Sequence, residues 1–373
     1  MKTFEKAIVG NIEVKNRIVR SATHESMGNN GRVTNKLIEL YKKLSDGEVG
    51  LIITGFMGFA KNDNFSPKTI LINNDDFIPD LKKLTETVHN NSSKIVAQLA
   101  HVGSQLSYSP TGDVFAPSDV IDPINGITPI PFTGEQIKEL VNEFGDAALR
   151  AKKTGFDGVQ LHGAHGYLLS KFLSPVYNKR KDEYGGSLSN NSRIISEILK
   201  NIKSKCGYEY PVWIKLNASD FGREEDGFTY DSFLYTAKRL SKDGVDAIEV
   251  SGGTMAGKFT PCRSKKHEAY HLEYAKKLTK EIDTSIIVVG GFRKFDLIES
   301  VFEETDIDAV SLSRSLIREP GLIKRWMEGD KKDAECVACN GCFNPDGLVC
   351  FFHLEGDKRK KQKEIMKLFS PRD

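Results

Sequence analysis

VQLHGAHGYLLSKFLSPVYNKRKDEYGG, residues 159–186, decides how the rest of the chain is read. It opens at the end of an apolar run, Phe156–Leu161, whose alternation suits a buried strand. It then delivers His162, His165 and Tyr167 within six residues. Strand ends that open into long polar loops are where α/β barrels carry their chemistry. Two imidazoles and a phenol supply up to three hydrogen-bond donors aimed at one place. That suits a substrate oxygen gaining negative charge while a neighbouring carbon needs a proton. The same spacing also fits a His-x-x-His metal pair, or two core histidines capping backbone.

Working outward, the strand pattern recurs. Runs at Arg17–Thr23, Gly50–Thr54, Lys94–Leu99, Phe156–Leu161, Pro211–Asn217, Val245–Ser251, Ser285–Gly290 and Ile307–Leu312 predict eight strands. Helical periodicity fits Asn35–Gly47, Asp75–Asn91, Gly134–Thr154, Asn191–Cys206, Asp231–Asp243, Glu268–Ile282, Lys294–Glu304 and Gly321–Gly329. Thr34 and Asp231 are the expected N-caps, and Pro320 stands beside the last helix start. This alternation predicts an α/β fold, a (β/α)8 TIM barrel rather than an open sheet. Ala7–Val14, with Gly10-Asn11 at its centre, predicts a short N-terminal hairpin that plugs the barrel bottom. Insertions near 101–133, 162–191 and 252–267 mostly follow strands, which puts them on the C-terminal, active face.

Composition bounds the function. With 39% hydrophobic and 28% charged residues over 373 positions, the chain is expected to be soluble with a sizeable core. A formal charge of +2 gives no sign of a nucleic-acid partner. No apolar run reaches the length of a membrane span, and the first residues lack the core of a signal peptide, so a cytoplasmic location is expected. Residues 1–330 read as one barrel domain. Residues 331–373 read as a cysteine-containing extension ending in a charged tail with an apolar patch, Ile365, Met366, Leu368 and Phe369. Such a tail suits a helix packed on a neighbouring subunit, hence a homo-oligomer.

Three late strands end in related chemistry: Ser251-Gly252-Gly253, Gly290-Gly291-Phe292-Arg293 and Ser313-Arg314-Ser315. Glycine lets backbone N–H groups approach an anion, and an arginine bonds two phosphate oxygens at once. The loops after the last two strands are the usual phosphate site of such barrels. A phosphate-bearing cofactor or substrate is expected, its identity open.

HGAHGYLLSKFLSPVYNKRKDEYGGSLSNNSR, residues 162–193, resembles the signature of the Old Yellow Enzyme family of FMN-dependent oxidoreductases. Asn16-Arg17-Ile18-Val19, the AQLAHVG run with Gln98 and His101, and the late glycine turns fall in the family's order across residues 1–330. The cysteine-containing tail resembles the bacterial branch, which includes the N-terminal part of 2,4-dienoyl-CoA reductases. The resemblance implies FMN in the barrel mouth, NAD(P)H as electron donor and an electrophilic alkene as substrate. It places Gln98 on the flavin's pyrimidine edge. Lys215 stands near the N1–C2=O edge, where the family usually has arginine. Ser21, Ala22, Thr23 and His24 lie along the ring, with Gly55 over it. Gly291, Phe292, Ser313 and Arg314 hold the phosphate, beside the Gly252 and Gly290 turns. His162 and His165 anchor the substrate oxygen, and Tyr167 is the proton donor. His24 departs from the family's usual Thr or Cys, and Ser313 from a usual glycine.

Cys336-x2-Cys339-x2-Cys342-x7-Cys350 is ligand-like spacing, with shorter gaps than the long family reductases have. It leaves three readings open: an iron–sulfur cluster, a structural zinc, or a metal-free remnant. Two other functions also stay open. One is a flavin-free lyase or isomerase using Lys215 as a Schiff-base amine. The other is a metal-binding redox module centred on Cys336–Cys350.

Overall fold

The structure, a computed structural model, describes residues 1–106, 108–223, 225–254, 260–344 and 347–368. The middle of the 252–267 insertion and Phe369 of the tail patch lie outside the described residues. A hairpin, β1 (Ala7–Val9) and β2 (Ile12–Val14), comes first. Eight parallel strands follow: β3 (Ile18–Arg20), β4 (Leu51–Ile53), β5 (Lys94–Leu99), β6 (Gly158–Gly163), β7 (Val212–Asn217), β8 (Ala247–Ser251), β9 (Ser285–Val289) and β10 (Ala309–Leu312). Each pairs with the next, and β10 pairs back to β3, so the barrel closes. All eight expected strands are present.

The helices are α1 (Asn35–Asp46), α2 (Ile78–His89), α3 (Gly134–Lys153), α4 (Leu168–Leu173), α5 (Leu188–Cys206), α6 (Tyr230–Lys242), α7 (Leu272–Leu278), α8 (Phe295–Glu304), α9 (Arg314–Arg318), α10 (Leu322–Met327) and α11 (Gly356–Leu368). Thr34 caps α1 by accepting from Leu37 N–H. Thr133 and Gln136 form a reciprocal capping box on α3.

Two expectations are corrected. Thr229, not Asp231, caps α6, because its hydroxyl accepts from Ser232 N–H; Asp231 falls in the first turn, where the helix dipole favours it. The helix expected from Glu268 begins at Leu272. Ala269 has φ +51°, outside helical space, and the Glu268 carboxylate instead accepts from the Arg293 and Lys294 amides.

Alternation sorts the strand side chains into two cores. Val19, Leu51, Ile53, Val96, Trp213, Ala247, Ile287 and Ala309 point into the barrel and meet Val9, Ile12 and Val14 of the hairpin. Their neighbours, such as Ile18, Ile52, Ile95 and Ile214, face the helices. The hairpin is therefore the barrel's plug, as expected. Gly10 (φ +49°) and Asn11 (φ +64°) supply the two left-handed residues of its turn. Trp213 Nε1 donates to Gly10 O at 2.9 Å, and a Cβ on Gly10 would sit 2.4 Å from that nitrogen.

The extension after residue 330 is stitched to the barrel. Ala334 N–H donates to Arg293 O, and Leu348 N–H to Glu25 O, each at 2.8 Å. Ala334, Cys342 and Leu348 join the hydrophobic cluster under the helices. Among the described residues no helix is long and apolar enough to cross a membrane.

Candidate active site at the barrel mouth

Above the apolar plug the barrel interior turns polar. β7 and β8 are in register at Lys215 and Glu249, and Lys215 Nζ lies 2.6 Å from Glu249 Oε2 with both side chains at most 3% exposed. Glu249 also accepts from Gln160 Nε2 at 2.8 Å, Ser21 Oγ at 2.7 Å and Ser311 Oγ at 2.9 Å. Lys215 also donates to Ser21 Oγ, and Gln98 Nε2 donates to Gln160 Oε1. Burial alone would raise the Glu249 carboxyl, but Lys215 and the hydroxyl and amide donors hold it below its usual value. Burial pulls Lys215 down, and Glu249 opposes that pull. Four donors leave the carboxylate no lone pair for a proton, so the pair is ionic. An ammonium held this way is a poor Schiff-base nucleophile.

His162, His165 and Tyr167 come together above this floor. His162 is in register with Lys215; its ring lies 5.2 Å from that of His165 and 4.7 Å from that of Tyr167. His165 adopts φ +65°, a backbone cost of the kind that collects at functional sites. Asn217 Oδ1 accepts from its N–H, and its Nε2 lies 2.7 Å from Ser251 Oγ. Tyr167 sits at the N-terminus of α4, which is tied down by Leu168 N–H donating to His101 O. Burial, then the His165 and Lys215 charges, hold His162 well below the usual imidazole value. His165 is pushed down to about 3, mainly by burial and then by Lys215. Burial pushes the Tyr167 phenol up to about 12. At neutral pH the cluster is therefore two neutral imidazoles and one intact phenol. His162 Nδ1 is buried without a hydrogen-bond partner among the described residues.

The other expected residues surround this cluster. Thr23 Oγ1 is 2.7 Å from Ser313 Oγ, joining the first strand's end to the last. His24 stacks on Phe56 at 4.4 Å, and Phe56 meets Tyr167 at 5.7 Å, so the three rings form a row. Ala22 packs at the edge of the plug core. Gly55 donates its N–H to Glu25 Oε1, and a Cβ there would lie 1.9 Å from Glu25 Oε2. Its smallness thus serves the buried Glu25–Arg20 pair beneath it. Gly291 has φ +76° at the end of β9, and Gly290 receives Tyr270 N–H on its carbonyl. Phe292 is buried and accepts from Ser315 Oγ. Gly252 packs against Phe221 and His271. Arg314 Nη1 donates to Arg263 O, Ala338 O and Asn340 Oδ1, so the cysteine segment grips that end of the guanidinium.

Cys336, Cys339, Cys342 and Cys350 line one small pocket with Arg314, Asn340 and Phe351. None of the four forms a disulfide. Among the described residues no group of three or more His, Cys, Asp or Glu is placed to hold a single metal ion.

Residues 2–333 match the NADH:flavin oxidoreductase / NADH oxidase family. The chain belongs to that family. A metal reductase of Desulforamulus reducens is 33% identical over 362 residues, 95% of this chain and 54% of that protein. An NADPH dehydrogenase of Bacillus subtilis is 32% identical over 321 residues, 86% of this chain and 92% of that one. A solved 2-naphthoyl-CoA reductase superposes with a TM-score of 0.86 at 25% identity, covering 97% of this chain and 58% of that one. The chain thus spans about half the length of the metal reductase it matches.

The donor set fits the flavin of this NADH:flavin oxidoreductase family. The unpartnered His162 nitrogen, the amide–ammonium floor of Gln98 and Lys215, and the left-handed Gly291 turn are the kinds of group that a flat polar ring and a phosphate require. Sequence reasoning missed Gln160, Glu249 and Ser311. Their signal was a polar residue at an inward position of an otherwise apolar strand, as in Ala247–Ser251.

Proposed function

We propose that the protein is an FMN-dependent NAD(P)H oxidoreductase of the ene reductase type, reducing an electron-poor alkene such as an enone. FMN, when bound, supplies the hydride relay between nicotinamide and alkene. Gln98 and Lys215 take its pyrimidine side. Ser21, Ala22, Thr23, His24 and Gly55 line its ring. The Gly252, Gly290 and Gly291 turns, with Phe292, Ser313 and Arg314, face its phosphate. His162 and His165 donate to the substrate carbonyl oxygen, where charge develops, and the Tyr167 phenol gives its proton to the α-carbon. Placed donors of this kind are worth about 3–4 kcal/mol each. The observation that carries the reading is the convergence of two neutral imidazoles and an un-ionised phenol on one opening. Anaerobic rapid mixing with NADH and NADPH, followed by enones and enoyl thioesters, tests it. Bleaching of the flavin by a nicotinamide and its return with an alkene is the expected result.

The four thiols support a second centre. They surround one cavity, yet no three are placed to share one ion. The spacing suits an iron–sulfur cluster or a structural zinc alike, and a metal-free remnant is the third reading. Iron, sulfide and zinc analysis of protein purified without air decides it, with about four irons per chain expected for a [4Fe–4S] cluster.

A further inference from the structure

Glu249 has no role in the chemistry above, yet it is the most heavily bonded side chain in the barrel interior. It is 0% exposed and takes donors from four strands: Ser21 after β3, Gln160 on β6, Lys215 on β7 and Ser311 on β10. Burying a carboxylate is costly unless it is paired and fully bonded. Three apolar neighbours, Ala247, Ile248 and Val250, show that this strand could have run through the core without it.

Resting on the flavin reading, we infer that Glu249 is a redox-tuning residue that acts through Lys215. Its carboxylate neutralises the ammonium presented to the flavin edge. Two of the three Lys215 donors are taken by Glu249 and Ser21, leaving one for whatever lies above. A hydride brings two electrons and one proton, so accepting it leaves one negative charge to be placed. A lone buried cation would favour that charge strongly. A cation bonded to a carboxylate at 2.6 Å favours it much less. The pair thus keeps the reduced cofactor willing to give its hydride up.

The test is the midpoint potential of bound FMN in the wild-type holoenzyme and three variants. Glu249→Gln keeps the size and removes the charge. It should strengthen binding of reduced relative to oxidised FMN about ten- to hundredfold, a rise of about 30–60 mV for a two-electron couple. The sign holds even if Lys215 loses its proton in the oxidised variant, because the arriving negative charge draws one back. Glu249→Asp, which restores the charge, should return the potential toward wild type. Lys215→Met/Glu249→Gln, which removes both charges, should leave that binding ratio within about threefold of wild type, about 14 mV. A Glu249→Gln potential equal to or below wild type overturns the inference while leaving the flavin reading intact. Failure of wild-type protein to bind FMN overturns both. Should Glu249→Gln not fold, the redox-difference infrared spectrum of wild-type enzyme carrying labelled glutamate applies. A shifted ionised carboxylate band supports the assignment, and an unmoved one overturns it.

Discussion

Tyr167→Phe removes one oxygen from the site and little else. The ring's contacts with His162 at 4.7 Å and Phe56 at 5.7 Å persist, and only the hydroxyl's bond to Gln105 is lost. The fold should lose about 1 kcal/mol at most. The catalytic cost is larger. A positioned proton donor contributes about 10²–10⁴-fold, or about 2.7–5.4 kcal/mol of barrier. That loss should fall only on the alkene half-reaction. Flavin reduction by NAD(P)H needs no proton from the phenol and should keep its rate. A pH arm separates this phenol from an ordinary one. A tyrosine near pKa 10 is half ionised at pH 10, whereas Tyr167, pushed up to about 12 by burial, is about 1% ionised. The Tyr167-dependent rate should therefore persist to pH 10. Separate rapid-mixing measurements of the two half-reactions supply the assay. Equal loss in both, or none in either, refutes the proton-donor assignment.

Removal of the His162 imidazole (His162→Ala) should weaken phenol and enone binding about two- to tenfold, read from the flavin absorbance. With His165 pushed down to about 3 and His162 held well below its usual value, both rings are neutral at physiological pH. Enone affinity should therefore be flat from pH 5 to 8, and a step near pH 6.5 would contradict this. Gly291→Ala places a Cβ 2.8 Å from Tyr270 Cε1 at φ +76°. It should cost about 1–3 kcal/mol of stability and lower FMN affinity, measured by fluorescence quenching. Glu25→Gln leaves the buried Arg20 guanidinium without its anion and should cost about 3–5 kcal/mol in chemical denaturation.

The barrel was legible because parallel strands covered on both faces read as apolar runs, and all eight did. α4 was not, since six residues are too few to show a helical period and its Ser170 and Lys171 are buried with the rest. Asp231 and Thr229 compete as caps within three positions, and only the hydroxyl's bond to Ser232 N–H separates them. The mouth cluster was visible as a spacing, but its neutrality was not, because depressed imidazoles follow from burial and from Lys215, 50 residues along the chain from His165. The partners of Arg314 were equally hidden: Ala338 and Asn340 reach it from a loop whose path the cysteine spacing does not specify.

The hairpin's position has a bearing on how the molecule assembles. It precedes every barrel strand in the chain, yet its anchors are Trp213, and Asp246, which accepts from Asn11 across 235 residues. Lys2 bonds Glu299 across 297. The hairpin thus waits for wall strands made well after it before these anchors can form. Such distant closures slow folding, so the plug's apolar contacts are among those the chain gains late.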